Sequence, residues 1–176
     1  MGSGQTMLTA AFFVLVTISV MSANRMILDN MTDVCQQEAI EQGSAFAKAL
    51  VSEILTKRFD SKSHYQFYQG VGSFDLPSAM GPGTAIPVPD VVPYKSLDST
   101  LFPYQYNDVD DYNGYERSAD SQEILGFRLK VSVYYVNKAT PDIKANTQTY
   151  YKRIDVTVTQ PQFIKNGIKF SALACY

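Results

Sequence analysis

The stretch that decides the fold is MLTAAFFVLVTISVMSA, residues 7–23, which contains no charged residue and no proline. As a helix it rises roughly 25 Å at about 1.5 Å per residue, close to the thickness of the hydrocarbon core of a bilayer. The stretch therefore predicts a helix surrounded by lipid or by other apolar helices. A cleaved secretory signal is a third interpretation, since Met21-Ser22-Ala23 offers a cleavage point, although no Lys or Arg precedes Met7.

The helical pattern continues beyond this stretch. Between Arg25 and Arg58 there is no proline and a single glycine, Gly43, and apolar residues recur at three- and four-residue spacing, as in an amphipathic helix. The recurring residues are Ile27, Met31, Val34, Cys35, Ile40, Ala47, Leu50 and Ile54. We expect one nearly continuous helix from Gly4 to Arg58, roughly 80 Å long. Its first half then needs a cover that the globular part of the chain is too small to supply.

The residues after this helix predict a β-rich head. Segments 126–136 and 150–159 alternate apolar and polar residues, as in an antiparallel sheet covered on one face, and 168–175 is a third strand. Residues 65–68 are predicted as a short first strand. Residues 70–122 hold most of the prolines and are predicted as a long irregular loop.

The expected fold class is therefore α+β, a long N-terminal helix packed on a small antiparallel sheet. We divide the chain into the helix, residues 1–58, and the head, residues 59–176. Within the helix, residues 1–24 form the hydrophobic assembly or membrane segment and residues 25–58 the amphipathic segment.

Composition excludes several classes of function. The chain has 176 residues and a net charge of −2, so it lacks the basic surplus that neutralises a phosphate backbone, and we expect no nucleic-acid partner. His64 is its one histidine, and neither a Gly-x-Ser-x-Gly nucleophile motif nor a Cys-x-x-Cys motif is present. The sequence therefore predicts a protein that is not an enzyme.

The two cysteines, Cys35 in the predicted helix and Cys175 next to the last residue, are a candidate disulfide. A pair of cysteines in a chain with extracytoplasmic features favours such a bond. By the chain-entropy account it would contribute about 4 to 5 kcal/mol by joining the last strand to the helix. Two independent buried thiols are the alternative.

An acidic segment, residues 107–116, is the most distinctive local feature outside the helix. Its carboxylate and amide oxygens are the donors that Ca²⁺ prefers, although the spacing is not that of an EF-hand. A solvated turn at Asn113-Gly114 is the alternative interpretation. The candidate ligands are Asp108, Asp110, Asp111, Asn113 and Glu116, and Ca²⁺ is the one cofactor that the sequence suggests.

A helix that is apolar in its first half and amphipathic in its second, followed by C-terminal strands at 150–159 and 168–175, resembles the type IV pilins and pseudopilins. The segment Asp108–Gly114 is similar to one in minor pilins of the mannose-sensitive haemagglutinin type. The resemblance implies a cell-surface filament subunit that lies in the inner membrane before assembly. Its implied partners are copies of itself and the pilus assembly machinery.

In that family the fifth residue after processing is usually a glutamate. If Met1 is the mature first residue, Gln5 takes that place, and hydrogen bonds replace a buried charge pair. If Met1 is the initiator, cleavage follows Gly2 or Gly4. The resemblance implies that assembly uses Gln5, Met7, Leu8, Phe12, Phe13, Leu15, Ile18 and Met21.

Two alternatives to a pilus filament subunit remain open at this stage. One is a low-copy pseudopilin that primes a secretion or pilus machine. The other is a membrane-anchored extracytoplasmic protein that binds an ion or a glycan through the acidic segment and the long loop.

Overall fold

The computed structural model describes residues 2–64, 70–81, 92–93 and 106–176. The fold is α+β, as predicted: one long helix precedes a mainly antiparallel sheet. The helix α1 spans Ser3–Leu55. The strands are β1 (Val92–Pro93), β2 (Glu116–Ala119), β3 (Phe127–Asn137), β4 (Thr140–Lys144), β5 (Tyr151–Gln160) and β6 (Ile164–Cys175). Short 3₁₀ turns lie at Ser61–His64, Val71–Ser73 and Asp110–Tyr112.

The sheet is ordered β1-β2-β3-β5-β6, and β4 pairs with β3 as a side branch. The pairs β2–β3, β3–β5 and β5–β6 are antiparallel, whereas β1 is parallel to β2. The register aligns Val131 with Val156 and Val156 with Phe170. Because side chains alternate along a strand, this register places the apolar residues of three strands on one face of the sheet.

The chain divides into two compact units, Met1–Glu38 and Ala39–Tyr176, which we call the N-terminal and C-terminal units. Helix α1 contributes residues to both. In the C-terminal unit Ala39, Ala47, Leu50 and Ile54 of the helix are buried in the core that the apolar face of the sheet forms. The core of this unit therefore includes the last four turns of the helix as well as the strands.

Gly43 shows how closely this part of the helix lies on the sheet. A Cβ atom at this position would lie 3.2 Å from Val158 Cγ1 and 3.3 Å from Ile164 Cδ1, closer than ordinary van der Waals contact. The one glycine in the amphipathic part of the helix therefore allows its backbone to approach β5 and β6.

Several boundaries differ from the sequence prediction. The helix ends at Leu55 rather than at Arg58, and the last strand begins at Ile164 rather than at residue 168. Residues 70–122 include the strand β2, which has the sequence ERSA and no apolar alternation. The strand predicted at residues 65–68 lies outside the described residues.

The amphipathic stripe also begins later than predicted. Ile27, Met31 and Val34 are 56%, 62% and 60% exposed, whereas burial in the core begins at Ala39. Within the described part of the chain, the stripe from Ile27 to Cys35 therefore lacks the cover that its spacing predicts.

Candidate functional site

The N-terminal unit carries an exposed apolar surface, which we call the exposed helix surface and define as residues 7–37 of α1. Every side chain in this range is exposed. Contiguous apolar patches of this extent are rare on water-soluble monomers and mark sites that bind a protein or a membrane. The predicted assembly residues Met7, Leu8, Phe12, Phe13, Leu15, Ile18 and Met21 are each more than half exposed. Gln5 lies within α1, but its side chain is outside the described residues.

The hydroxyl groups of this surface are hydrogen-bonded within the helix. Thr17 Oγ1 donates to the carbonyl oxygen of Phe13 at 2.8 Å, and Ser19 Oγ donates to that of Leu15 at 2.9 Å. A polar group that is already bonded costs less to transfer out of water. These two side chains therefore do not prevent the stretch from entering an apolar environment.

By length and apolarity α1 qualifies as a helix that could cross a membrane. A signal sequence near an N-terminus satisfies the same criteria. The length and apolarity of α1 are therefore compatible with membrane anchoring, but they do not distinguish an anchor from a signal sequence.

Cys35 and Cys175 are both free thiols with exposed side chains, so the predicted disulfide is not formed in this structure. The register of β6 explains the position of Cys175. Lys152 pairs with the buried Ala174, and Tyr151 pairs with Cys175, so Cys175 lies on the face opposite the core. Helix α1 packs on the core face in this unit, and a side chain on the other face does not reach it.

The acidic segment is a buried turn rather than a solvated one. Asp108 Oδ1 accepts hydrogen bonds from the backbone nitrogens of Asp110, at 2.9 Å, and Asp111, at 3.2 Å. Asp111 Oδ2 accepts from the nitrogens of Asn107, at 2.8 Å, and Asp108, at 3.3 Å. These two carboxylates hold the 3₁₀ turn Asp110–Tyr112 in place, with the Asp108 and Asp111 side chains almost fully buried.

The other two predicted Ca²⁺ ligands bind elsewhere. Asn113 Nδ2 donates to the carbonyl oxygen of Met80 at 3.2 Å, and its Oδ1 accepts from the nitrogen of Val133 at 3.0 Å. Glu116 forms an ion pair of 2.8 Å with Lys130. The structure thus keeps three of the five predicted ligands in one turn and gives the other two partners of their own.

Asp110 belongs to a different set of groups, centred on Lys152. The ammonium Nζ of Lys152 donates to the carbonyl oxygen of Phe59 at 2.6 Å and lies 2.5 Å from Asp110 Oδ1 and 3.3 Å from Asp60 Oδ2. All three side chains are at least 95% buried. We call Lys152, Asp60 and Asp110 the buried charge cluster.

Asp75 lies at the edge of this cluster. Among the described residues, one carboxylate oxygen from each of Asp60, Asp75 and Asp110 lies within 4.8 Å of the other two. Asp75 is paired with Lys62 at 2.7 Å, and Asp60 accepts hydrogen bonds from the backbone nitrogens of Lys62 and Asp75. This grouping of carboxylates differs from the Ca²⁺ ligand set that the sequence predicts.

Burial raises the pKa of the Asp110 carboxyl to about 7, although Lys152 opposes the shift. Burial, together with the nearby Asp111, raises the pKa of Asp108 to about 6. Both shifts have the same physical cause, since removing a carboxylate from water disfavours its charged form. The shift at Asp110 therefore favours its neutral acid form relative to a carboxyl in water.

Lys152 was not among the site residues predicted from the sequence, although its position in the alternating strand indicates that it is buried. Lys152 is two residues before Ile154, so the period of a β-strand places it on the same face as Ile154, Val156 and Val158. A lysine on an apolar face requires a buried partner. The partners come from residues 60 and 110, which are distant in sequence.

A second polar contact joins α1 to the acidic region within the C-terminal unit. Both terminal nitrogens of Arg117 donate to the carboxylate of Glu53 at 2.9 Å, and Tyr112 Oη donates to Glu53 Oε1 at 2.8 Å. Arg117 Nε also donates to Tyr115 Oη at 2.9 Å. A bidentate pair of this kind fixes orientation as well as distance.

No family model, no curated protein and no solved structure matches this chain.

Proposed function

We propose that this chain is a structural subunit of a type IV pilus-like filament, assembled by packing the exposed helix surface of one copy against those of its neighbours. The observation that supports it is the contrast along α1. From Ala39 onward one face of α1, which includes Ala39, Ala47, Leu50 and Ile54, is buried in the chain's own core, whereas every described side chain from Met7 to Gln37 is exposed. A single continuous helix with one covered half needs a partner for the other.

A bundle of identical helices covers this surface more completely than lipid does. The uncharged stretch ends before Arg25, yet exposed apolar residues continue through Ile27, Met31 and Val34. A bilayer that takes up residues 7–23 leaves this later stripe in water, since Arg25, Asp29 and Asp33 disfavour its insertion. Neighbouring helices can bury the stripe and pair these opposite charges between copies.

The last part of α1 is held in place within the C-terminal unit. Leu50 and Ile54 are buried, Gly43 allows a close approach to the sheet, and Glu53 holds Arg117 in a bidentate pair. Assembly then proceeds by burial of apolar surface, at about 25 cal/mol per Å². This function involves no catalytic step. The subunit lies in the inner membrane before assembly and at the cell surface afterwards.

The decisive experiment compares two leucines of equal exposure. Leu15 is 63% exposed on the exposed helix surface, and Leu125 is 64% exposed in the C-terminal unit. The full-length chain is expressed in a bacterium with a pilus assembly machine, and sheared surface material is imaged by electron microscopy. We expect filaments from wild type and Leu125→Arg, and none from Leu15→Arg. Wild-type protein recovered only as detergent-solubilised monomers would overturn the proposal.

Met31→Lys separates a filament subunit from a membrane-anchored binding protein. Met31 lies outside the uncharged stretch, so its replacement leaves residues 7–23 able to enter a bilayer. If copies pack through the later stripe, this variant loses filaments and still fractionates with membranes. Filaments of normal abundance from Met31→Lys would contradict packing along residues 27–34.

The mature N-terminus is a separate test of the processing route. Cleavage and methylation of the first residue, detected by mass spectrometry of filaments, are expected for a subunit of the pilin class. The position of the cleavage would also show whether Gln5 occupies the fifth position.

A further inference from the structure

The buried charge cluster combines the three groups that an amide-forming reaction requires: an amine, a carboxyl carbon and a second carboxylate that can move a proton. Lys152 Nζ lies 2.5 Å from Asp110 Oδ1, which is shorter than the roughly 2.7 to 2.9 Å of an ordinary ammonium–carboxylate hydrogen bond. Neither oxygen of Asp110 has a hydrogen-bond partner among the described residues. The two groups are therefore in close contact without the alignment of a hydrogen-bonded pair.

The Lys152 side chain is fully buried, and burial away from water disfavours a pair of separate charges. Its Nζ lies 4.3 Å from the ring centroid of Phe59 and 5.1 Å from that of Tyr135, so these two rings help to shield the pair from water. Transfer of a proton from Lys152 to Asp110 converts the pair to a neutral amine and a neutral acid, which removes two charges from an apolar site.

Asp60 and Asp110 have different roles because their partners differ. Asp60 accepts hydrogen bonds from the backbone nitrogens of Lys62, at 3.0 Å, and Asp75, at 2.9 Å, so each of its two oxygens already has a backbone donor. It lies 3.3 Å from Lys152 Nζ, within reach to accept a proton. Asp110 lacks such donors, so its carboxyl group is the more electrophilic of the two.

We propose that Lys152 and Asp110 form an intramolecular amide crosslink, with Asp60 transferring the proton. The lone pair of the neutral Nζ attacks Cγ of the protonated Asp110, and a carbon–nitrogen bond forms. Asp60 accepts a proton from the attacking nitrogen and delivers it to the departing hydroxyl. The carbon–oxygen bond then breaks, one water leaves, and Asp60 returns to its starting state. No oxidant, reductant or cofactor is required.

The crosslink would tie the buried acidic turn to the central strand β5. Residues 110 and 152 are far apart in sequence, so an amide between them closes a large loop and restricts the unfolded chain, as a disulfide does. Such a bond resists reduction, and the structure leaves its two cysteines unpaired. This modification is independent of whether the chain assembles into filaments.

Intact-mass measurement of the full-length chain, folded and purified in detergent, tests the proposal directly. We expect a mass lower than that calculated from the sequence by one water molecule. Proteolysis should yield a branched peptide that joins the segments containing residues 110 and 152, which distinguishes the amide from a dehydrated aspartate elsewhere. Folded wild-type protein with its full calculated mass, or a missing water that maps to other residues, overturns the proposal.

Three variants assign the roles. Lys152→Arg keeps the positive charge but not the nucleophilic amine, so it should have its full calculated mass. Asp60→Asn keeps the hydrogen-bond acceptor and loses the base, so freshly synthesised protein should lose water at least tenfold more slowly, and formation at the wild-type rate would contradict the role of Asp60. Lys130→Arg changes an exposed lysine that is paired with Glu116 and should retain the crosslink. Because the wild-type mass is informative by itself, the test does not depend on any variant folding.

Discussion

The two halves of α1 share one backbone and similar apolar residues, yet their surroundings are opposite. Leu15 is 63% exposed in the N-terminal unit, and Leu50 is 1% exposed in the C-terminal unit. Helix propensity does not distinguish these leucines, so what differs is the partner that each one packs against. The second half of α1 is stabilised by the chain's own sheet, whereas the first half has no such cover among the residues that the structure describes.

The largest expected difference in stability is between the alanine variants of these two leucines. Leu50→Ala removes a fully buried side chain from the core and should lower the free energy of unfolding by about 2 to 5 kcal/mol. Leu15→Ala should leave the unfolding of the C-terminal unit unchanged. Denaturant titration of the full chain in detergent, monitored by tyrosine fluorescence, measures both. An equal loss in the two variants would show that the halves are not stabilised separately.

The next effect concerns the contact between Glu53 and Arg117. Glu53→Ala leaves the Arg117 guanidinium and the Tyr112 hydroxyl without their shared acceptor, and we expect a loss of about 1 to 3 kcal/mol in the free energy of unfolding. Glu41→Ala is the matched control, because Glu41 is an exposed glutamate on the same helix. The same denaturant titration applies. Equal stability of the two variants would mean that the bidentate pair contributes nothing net.

Much of this architecture could be predicted from local pattern. The absence of proline and the apolar spacing predicted α1 to within a few residues, and the alternation in residues 126–136 and 150–159 predicted β3 and β5. These signals are local because a regular element repeats its own period. Strand β2 could not be found in this way, since its four residues, ERSA, are ordered by pairing with β3 rather than by an apolar face.

The site was harder to predict because it depends on contacts between distant residues. The acidic segment was identified as distinctive, but its composition suggested a Ca²⁺ site or, alternatively, a solvated turn, and only tertiary packing buries Asp108 and Asp111. Lys152 was visible as a lysine on an apolar strand face, whereas its partner Asp60 follows the helix and gives no local sign of pairing. The later start of burial along α1 likewise depends on where the sheet lies, which helical spacing does not encode.

Acidic residues offer a third comparison, because Asp33 is exposed in the N-terminal unit and Asp108 is 3% exposed in the C-terminal unit. The folded pKa of Asp108, about 6, lies above the ordinary value of 3.8. Between these values the folded state binds more protons at Asp108 than the unfolded state does, so the stability that Asp108 contributes is greatest below pH 3.8 and is lost as the pH rises to 6. Asp108 alone should lower the free energy of unfolding by about 1 kcal/mol between pH 5 and pH 7.5.

Asp108→Asn isolates this contribution. An asparagine oxygen can still accept the hydrogen bonds from the nitrogens of Asp110 and Asp111, but the side chain no longer titrates. Denaturant titrations at pH 5 and pH 7.5 should therefore show a smaller pH dependence than wild type, while Asp33→Asn should show none of this reduction. If the free energy of unfolding of Asp108→Asn changed with pH as much as that of wild type, the pH dependence would have to come from other groups. Asp110 adds to the slope only while its carboxyl is free, so the crosslinked protein should lose the Asp110 part and retain the Asp108 part.

The smallest expected change in stability comes from replacing one of two glycines of α1, Gly4 or Gly43, with alanine. Ala in place of Gly stabilises a helix interior by up to about 1 kcal/mol, and Gly4 has no atom within 4 Å of an added Cβ, so Gly4→Ala should not lower stability. At Gly43 the added methyl meets Val158, Ile164 and Phe127 at 3.2 to 3.4 Å, and overpacking a core costs about 1 to 3 kcal/mol. We expect a net loss of about 0.5 to 1 kcal/mol for Gly43→Ala in denaturant titration. A gain in stability would mean that the sheet moves aside at little cost, and the helix would then be held less closely on β5 than the contacts at Gly43 indicate.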